Sequence, residues 1–401
     1  MTADITADIT ADMTADTKAV VRGVRSNARS YVRSYVRSHV RSFIGLLCLT
    51  IAWGTPAPAQ TERRTQNVIL VVTDGLRWQE VFGGADTALI FGEPRLVGGD
   101  TVGTRRKFWR ATATERRDAM MPFFWGTIAR QGQVFGNRAL GGTADVTNGL
   151  KFSYPGYNEM LAGFADPRID KNDYGVNPNA TVFEWLNKQP GFTGRVAAFA
   201  TWDVFADIFA RQRSGVFVHA GWEQPYPAPR NAADSLLNRM YATTFRMWDN
   251  NAWDSFTQAV AMRYLREHRP RVVFIGYGET DEWAHAGRYD RYLNAARTVD
   301  GYLSEIWSAV QAHPEYRGRT SLIVTTDHGR GRTVRDWTNH GKDVVGAEEM
   351  WIAVIGPDTP ALGETKNATA TQSQIAATVA ALLGLDYRLA TPAAAASLRV
   401  R

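Results

Sequence analysis

The chain is nearly free of cysteine. Its one thiol, Cys48, lies in an N-terminal apolar run. A disulfide framework, a thiolate metal site and a cysteine nucleophile are therefore excluded beyond that run. Histidine is scarce too, with seven residues in 401. No apolar run reaches the ~20 residues that a membrane-spanning helix needs. The formal net charge of +6 is not gathered in one stretch: residues 1–59 hold seven basic and four acidic side chains, and no concentrated basic stretch of the kind a nucleic-acid-binding face needs follows residue 60. That pattern gives no evident nucleic-acid-binding surface. With 44% hydrophobic and 21% charged residues, the remainder reads as a globular chain.

What is present at the N-terminus has the order of an export signal. An Arg-rich stretch ends at Arg41, an apolar run extends from Phe43 to Trp53, and Ala57-x-Ala59 supplies small residues for cleavage. The short repeats before it (TADI, TADM, TADT; VRSY, VRSH, VRSF) cannot bury a core. Residues 1–59 are read as a low-complexity N-terminus plus signal peptide, and residues 60–401 as one catalytic domain, exported to the periplasm or secreted, with no membrane attachment after cleavage.

From residue 66 onward, short β-branched runs alternate with helical segments. Strands are expected at Asn67–Thr73, Arg195–Ala200, Val216–Val218, Val272–Tyr277, Leu322–Thr326 and Trp351–Ile355. Helices are expected at Ala180–Lys188, Ala252–Glu267, Tyr289–Ala312 and Thr371–Leu383. This alternation predicts an α/β fold: a mostly parallel central sheet with helices on both faces. Residues 84–150, weakly periodic, are read as an excursion over the active-site face, and the Ala-rich tail after Leu385 as frayed.

Open parallel sheets bind ligands at the carboxyl ends of their strands. Three predicted strands end in acid: Asp74 follows the first, Asp281 follows Val272–Tyr277, and Asp327 follows Leu322–Thr326. One such Asp is most often a turn residue. Three of them, with His285 four residues after Asp281, His328 beside Asp327, and His340 in a nearby His-Gly, look like metal ligands. His219 is read as a core residue; His268 and His313 are read as solvated. Ser153, in Ser153-Tyr154-Pro155-Gly156-Tyr157 before a helical segment, is either a plain helix cap or a nucleophile activated by metal.

The ordered set Asp74, Ser153-Tyr154-Pro155, Asp281…His285, Asp327-His328-Gly329 and His340-Gly341 resembles the alkaline phosphatase superfamily, most closely its nucleotide pyrophosphatase/phosphodiesterase branch. The resemblance implies an alkaline phosphatase-like fold and two divalent metals, zinc or manganese. Asp281, His285 and His340 would hold one, and Asp74, Asp327 and His328 the other. It further implies Ser153 as a metal-bound nucleophile passing through a phosphoseryl intermediate, a small-molecule phosphate ester as substrate, and Asn172 as a phosphate contact. The phosphodiesterase branch usually has Asn at the position of Gly156. Sulfatases of the superfamily require Arg where this chain has Tyr157. A sulfatase-like enzyme, a phosphoryl-group transferase and a non-catalytic metal-binding relative are the alternatives. The related phosphoglycerate mutases are cytoplasmic and carry an inserted domain, which sets them apart from this chain's export signal and layout.

Overall fold

A computed structural model describes residues 63–92 and 98–401; the export signal read in residues 1–59 lies outside the described residues. Residues Arg63–Arg401 form one compact unit. Its frame is an eight-stranded sheet in the order β5-β4-β6-β1-β7-β8-β2-β9. The strands are β1 (Asn67–Thr73), β2 (Gln133–Phe135), β4 (Val196–Ala200), β5 (Phe217–Ala220), β6 (Val272–Tyr277), β7 (Thr320–Thr325), β8 (Ile352–Ile355) and β9 (Gly363–Glu364). A separate pair joins β3 (Thr143–Asp145) to β10 (Thr369–Thr371). Neighbours from β5 to β7 pair in parallel, while β8 runs antiparallel to both β7 and β2. The fold is therefore the mostly parallel α/β sheet that the sequence predicts.

The reason that β1 reads as an unbroken apolar run is visible in its two faces. Ile69 and Val71 enter one hydrophobic core; Val68, Leu70 and Val72 enter the other. A strand with both faces covered loses the polar alternation of a surface strand. One core takes the Asp254–His268 and Tyr289–Ala312 helices, and the other takes Ser153–Ala162, Val182–Asn187 and Gln374–Leu382.

Two expectations are corrected. Residues 84–150 do not simply cross the active-site face: they form helices at Thr101–Phe108 and Ala113–Met120 and then supply β2 to the main sheet. Three residues of β2 carry too little period to read, and its pairing partner lies more than 200 positions away. The tail is not frayed either. Ala394, Leu398 and Val400 are buried, and the Ala395 and Leu398 amides donate to Gly163 O and Thr378 Oγ1. Alanine-rich composition concealed this because small side chains allow close approach as readily as they allow solvation. Among the described residues, no helix is long and apolar enough to cross a membrane.

Candidate metal centre

Strand β1 lies between β6 and β7, so their three carboxyl ends converge. Asp74 leaves β1, Asp327 follows β7 after Thr326, and β6 continues through Gly278 into the helix Glu279–His285, which carries Asp281 and His285. That short helix is held by reciprocal capping. Asp254 Oδ1 accepts from the Gly278 and Glu279 amides at 2.9 and 3.2 Å, and Glu279 Oε1 accepts from the Asp254 amide at 2.9 Å. Each carboxylate thus satisfies amide donors that a helix start leaves open.

His328 Nε2 is the hub. It lies 3.4 Å from Asp74 Oδ1, 3.5 Å from Asp327 Oδ2, 3.9 Å from Asp281 Oδ1 and 3.4 Å from Ser153 Oγ. His340 Nε2 is 3.8 Å from Asp281 Oδ1 and 3.0 Å from His285 Nε2, which is itself 3.2 Å from Asp281 Oδ2. The structure thus gathers all six ligand candidates. Two groups stand close enough to share an ion: Asp74, Asp327 and His328, and Asp281, His328 and His340. The first is the set named from sequence. In the second, His328 stands where His285 was expected, and His285 flanks the group from its exposed edge.

These donors fit divalent cations. Asp74 Oδ1 and Asp327 Oδ2 are buried and accept no hydrogen bond, although unsatisfied buried carboxylate oxygens are costly. Burial, and then the Asp327 charge, push Asp74 well above the usual carboxylate range; burial likewise raises Asp327. Burial lowers His328 and His340 below the ordinary imidazole value, and partial desolvation lowers the more exposed His285, which favours the neutral form that ligation requires. Their orientation is also fixed. His328 Nδ1–H donates to Gly329 O at 3.0 Å and His340 Nδ1–H to Lys151 O at 3.3 Å, leaving both Nε2 lone pairs toward the centre.

Ser153 begins the helix Ser153–Ala162. The first amides of this helix are not an open anion site: Tyr154 N donates to Asn172 Oδ1 at 2.9 Å and Pro155 has no N–H. Asn172 is thereby oriented by Tyr154 and lines a cavity of about 200 Å³ together with Ser153, Asp74 and Asp281. Residues 201–250 contribute Trp202 and Asn250 to this cavity, while none of the described residues lining it comes from 84–150. Larger clefts of about 490 and 600 Å³ contain none of the ligand candidates. His219 is buried, with Nε2 bonded to Glu223 O at 3.0 Å, away from this centre.

Gly156 explains one departure from the phosphodiesterase pattern. A Cβ there would stand 2.7 Å from the Asp327 carbonyl oxygen. The helix that begins at Ser153 is packed backbone to backbone against the strand end that carries Asp327, and an Asn does not fit. Gly156→Ala is expected to destabilise the fold by about 1–3 kcal/mol through overpacking, outweighing the ~1 kcal/mol that Ala brings to a helix. Turnover is expected to fall with it. Denaturant unfolding and kcat/KM check this; a variant as stable and active as the parent would mean that the contact is slack.

Other supporting residues escaped the sequence reading. Tyr157, one turn after Ser153, donates its hydroxyl to Asp74 Oδ2 at 2.9 Å. Buried Arg330 pairs with Asp281 Oδ1, and its guanidinium is lowered to about 9, chiefly by burial. Gly75, at φ +60°, lets both approach, since a Cβ would meet Arg330 Nε at 2.8 Å and Asp281 Oδ1 at 2.9 Å. Glu159 is buried and accepts from the Thr147 and Asn148 amides, tying the loop that presents Lys151 O to His340. The signal for Tyr157 was its i+4 spacing from Ser153. Arg330 directly follows Asp-His-Gly.

A family model described as the metalloenzyme superfamily matches residues 214–387, which include Asp281, His285, Asp327, His328 and His340. A 2,3-bisphosphoglycerate-independent phosphoglycerate mutase from Synechococcus sp. (strain JA-2-3B'a(2-13)) is 28% identical over 180 residues, 42% of this chain. The match spans 31% of that relative's own length. Among solved structures, i-CgsB in complex with a neocarrahexaose aligns with TM-score 0.50 and 13% identity over 83% of this chain and 75% of its own. The lipoteichoic acid synthase LtaP from Listeria monocytogenes aligns with TM-score 0.50 and 10% identity over 80% and 72%. At such identities the likeness is one of fold. Over residues 214–387 the chain is similar to the metalloenzyme superfamily, its fold is alkaline phosphatase-like, and the matches do not single out the phosphodiesterase branch.

Proposed function

We propose that the protein is an exported hydrolase of phosphate esters in which Ser153 is the nucleophile and Asp74, Asp281, His285, Asp327, His328 and His340 hold two divalent metals, zinc or manganese. The observation that carries this reading is the placement of Ser153 Oγ 3.4 Å from His328 Nε2, at the point where the unpaired oxygens of Asp74 and Asp327 also converge. Bound metals would supply the positive charge that lowers the serine pKa and stabilises the transferring group.

The chain's own residues divide the remaining work. Ser153 Oγ releases its proton to solvent and forms a bond to phosphorus as the bond from phosphorus to the ester oxygen breaks; the alcohol departs with a proton from water, and the released serine proton neutralises the hydroxide left behind. Water then cleaves the phosphoseryl ester, returning the serine proton. Asn172, its Oδ1 committed to Tyr154 N, offers its Nδ2 donor to a phosphate oxygen. Tyr157 orients Asp74, and Arg330 orients Asp281.

A sulfuryl reading finds less support. Tyr157 occupies the place of the required Arg and is spent on Asp74. The test is a screen of phosphate monoesters, phosphate diesters and sulfate esters on protein of measured metal content. Turnover of a phosphate ester and indifference to sulfate esters is the expected result. A metal-loaded protein that acts on no phosphate ester, or that prefers sulfate, overturns the proposal.

A further inference from the structure

The cavity beside Ser153 has a wall that the hydrolytic chemistry does not use. Trp202, Asn250, Asn251, Gly278 and Glu282 line it. Asn251 Nδ2 donates to Glu282 Oε1 at 2.6 Å. Asn251 Oδ1 is buried and receives no donor, and among the described hydrogen bonds Glu282 Oε2 receives none either. Trp202 is fixed beside Asn251 by a backbone bridge. An indole next to two unfilled acceptors is suited to a ring that is apolar on its face and rich in hydroxyl donors at its rim.

The wall is equally defined by what it omits. None of the described residues lining the cavity is Lys, Arg or His, and three of them are carboxylates: Asp74, Asp281 and Glu282. The metals would neutralise the ester phosphate alone. A second phosphate on the leaving group would face Glu282 with no cation to receive it. At about 200 Å³ the cavity is also smaller than the ~300–1,000 Å³ of sites that take drug-sized ligands.

We propose that this wall is the leaving-group site and that it selects the phosphate ester of a single polyhydroxylated alcohol, a sugar or polyol, over nucleotide polyphosphates and bisphosphates. The proposal rests on the phosphate-ester reading above. Hydroxyls of the leaving group donate to Glu282 Oε2 and Asn251 Oδ1, and the ring lies against Trp202.

The test compares fructose 6-phosphate, fructose 1,6-bisphosphate and p-nitrophenyl phosphate on the metal-loaded, full-length protein. The parent is expected to favour the monophosphate over the bisphosphate by at least about tenfold in kcat/KM, because the second phosphate would meet the Glu282 carboxylate where a hydroxyl donor would otherwise bond. Glu282→Gln keeps an oxygen for Asn251 but removes the charge. It should lower the ratio of fructose 6-phosphate to p-nitrophenyl phosphate kcat/KM about tenfold, mainly through KM. Glu282→Lys should narrow or reverse the discrimination against the bisphosphate. Calorimetric binding of fructose 6-phosphate to Ser153→Ala, with and without Glu282→Gln, reads the site without turnover. If no phosphate ester is hydrolysed but binding weakens with Glu282→Gln, the wall survives and the hydrolase reading falls. Unchanged ratios, or equal loss on all three substrates, overturn the wall itself.

Discussion

Ser153→Ala is expected to reduce turnover of a phosphate ester by at least about a thousandfold while leaving the fold and the metal content intact. The size follows from the role: removing a covalent nucleophile costs far more than removing a binding contact, and residual rates derive from the remaining positioning and charge. The fold should be indifferent because Ser153 Oγ caps no helix amide, and its one described partner is His328 Nε2. Tyr154 N, the first amide after it, is already capped by Asn172. The competing reading, a plain helix N-cap serine, predicts the reverse: about 1 kcal/mol of lost stability with activity retained. Thermal unfolding, metal analysis and steady-state kinetics on one preparation separate the two. Trapping of labelled phosphate on the parent chain, absent from Ser153→Ala, adds a readout specific to the covalent intermediate.

Much of this candidate centre could be read from sequence because its ligand candidates are local to strand ends. Asp74 and Asp327 each follow a run whose apolar pattern announces a buried strand, and the predicted strands Asn67–Thr73 and Val272–Tyr277 match the observed ones residue for residue. The helix Tyr289–Ala312 was equally plain, because one stripe of buried residues runs its whole length. What sequence could not give was the partition between the two groups. His328 reaches both because β6, β1 and β7 lie side by side with their carboxyl ends together, and strand order is a property of long-range pairing that no local period encodes. The same holds for β2 and for Gln372, which donates to Asp327 O from 45 residues away. Gly156 was noted only as a mismatch. Its reason is a backbone contact with Asp327, visible only once the Ser153–Ala162 helix is docked.

Asp74→Asn is expected to have opposite effects on the metal-free and metal-loaded protein. Without metal, Asp74 is a buried carboxylate raised above its usual range first by burial and then by the charge of Asp327; the Tyr157 hydroxyl offsets this only in part. An acid whose folded pKa exceeds its unfolded value stabilises the fold only while protonated. Its contribution is present at low pH and is lost as pH rises from the ordinary ~3.9 through the raised folded value. The metal-free parent should therefore lose stability as pH rises through that window, and Asp74→Asn should flatten the loss. The substitution also preserves the local bonds: the amide oxygen can still accept from Tyr157, and the amide nitrogen can donate to His328 Nε2, 3.4 Å from the present Oδ1. Metal reverses the balance. At a concentration 100 times Kd, one bound ion adds about 2.7 kcal/mol to folding stability. A chelator should thus lower the melting temperature of the parent by several degrees, and this drop should shrink by about half in Asp74→Asn, where one of the two sites is lost. Turnover should fall at least about a hundredfold, because Asp74 Oδ1 and Ser153 Oγ approach the same His328 nitrogen. Melting curves with and without chelator, taken across pH on both proteins, decide the matter. A metal-free variant that melts below the metal-free parent would show that the Asp74 charge is already balanced within the chain, and a parent indifferent to chelator would remove the metal centre from the account altogether.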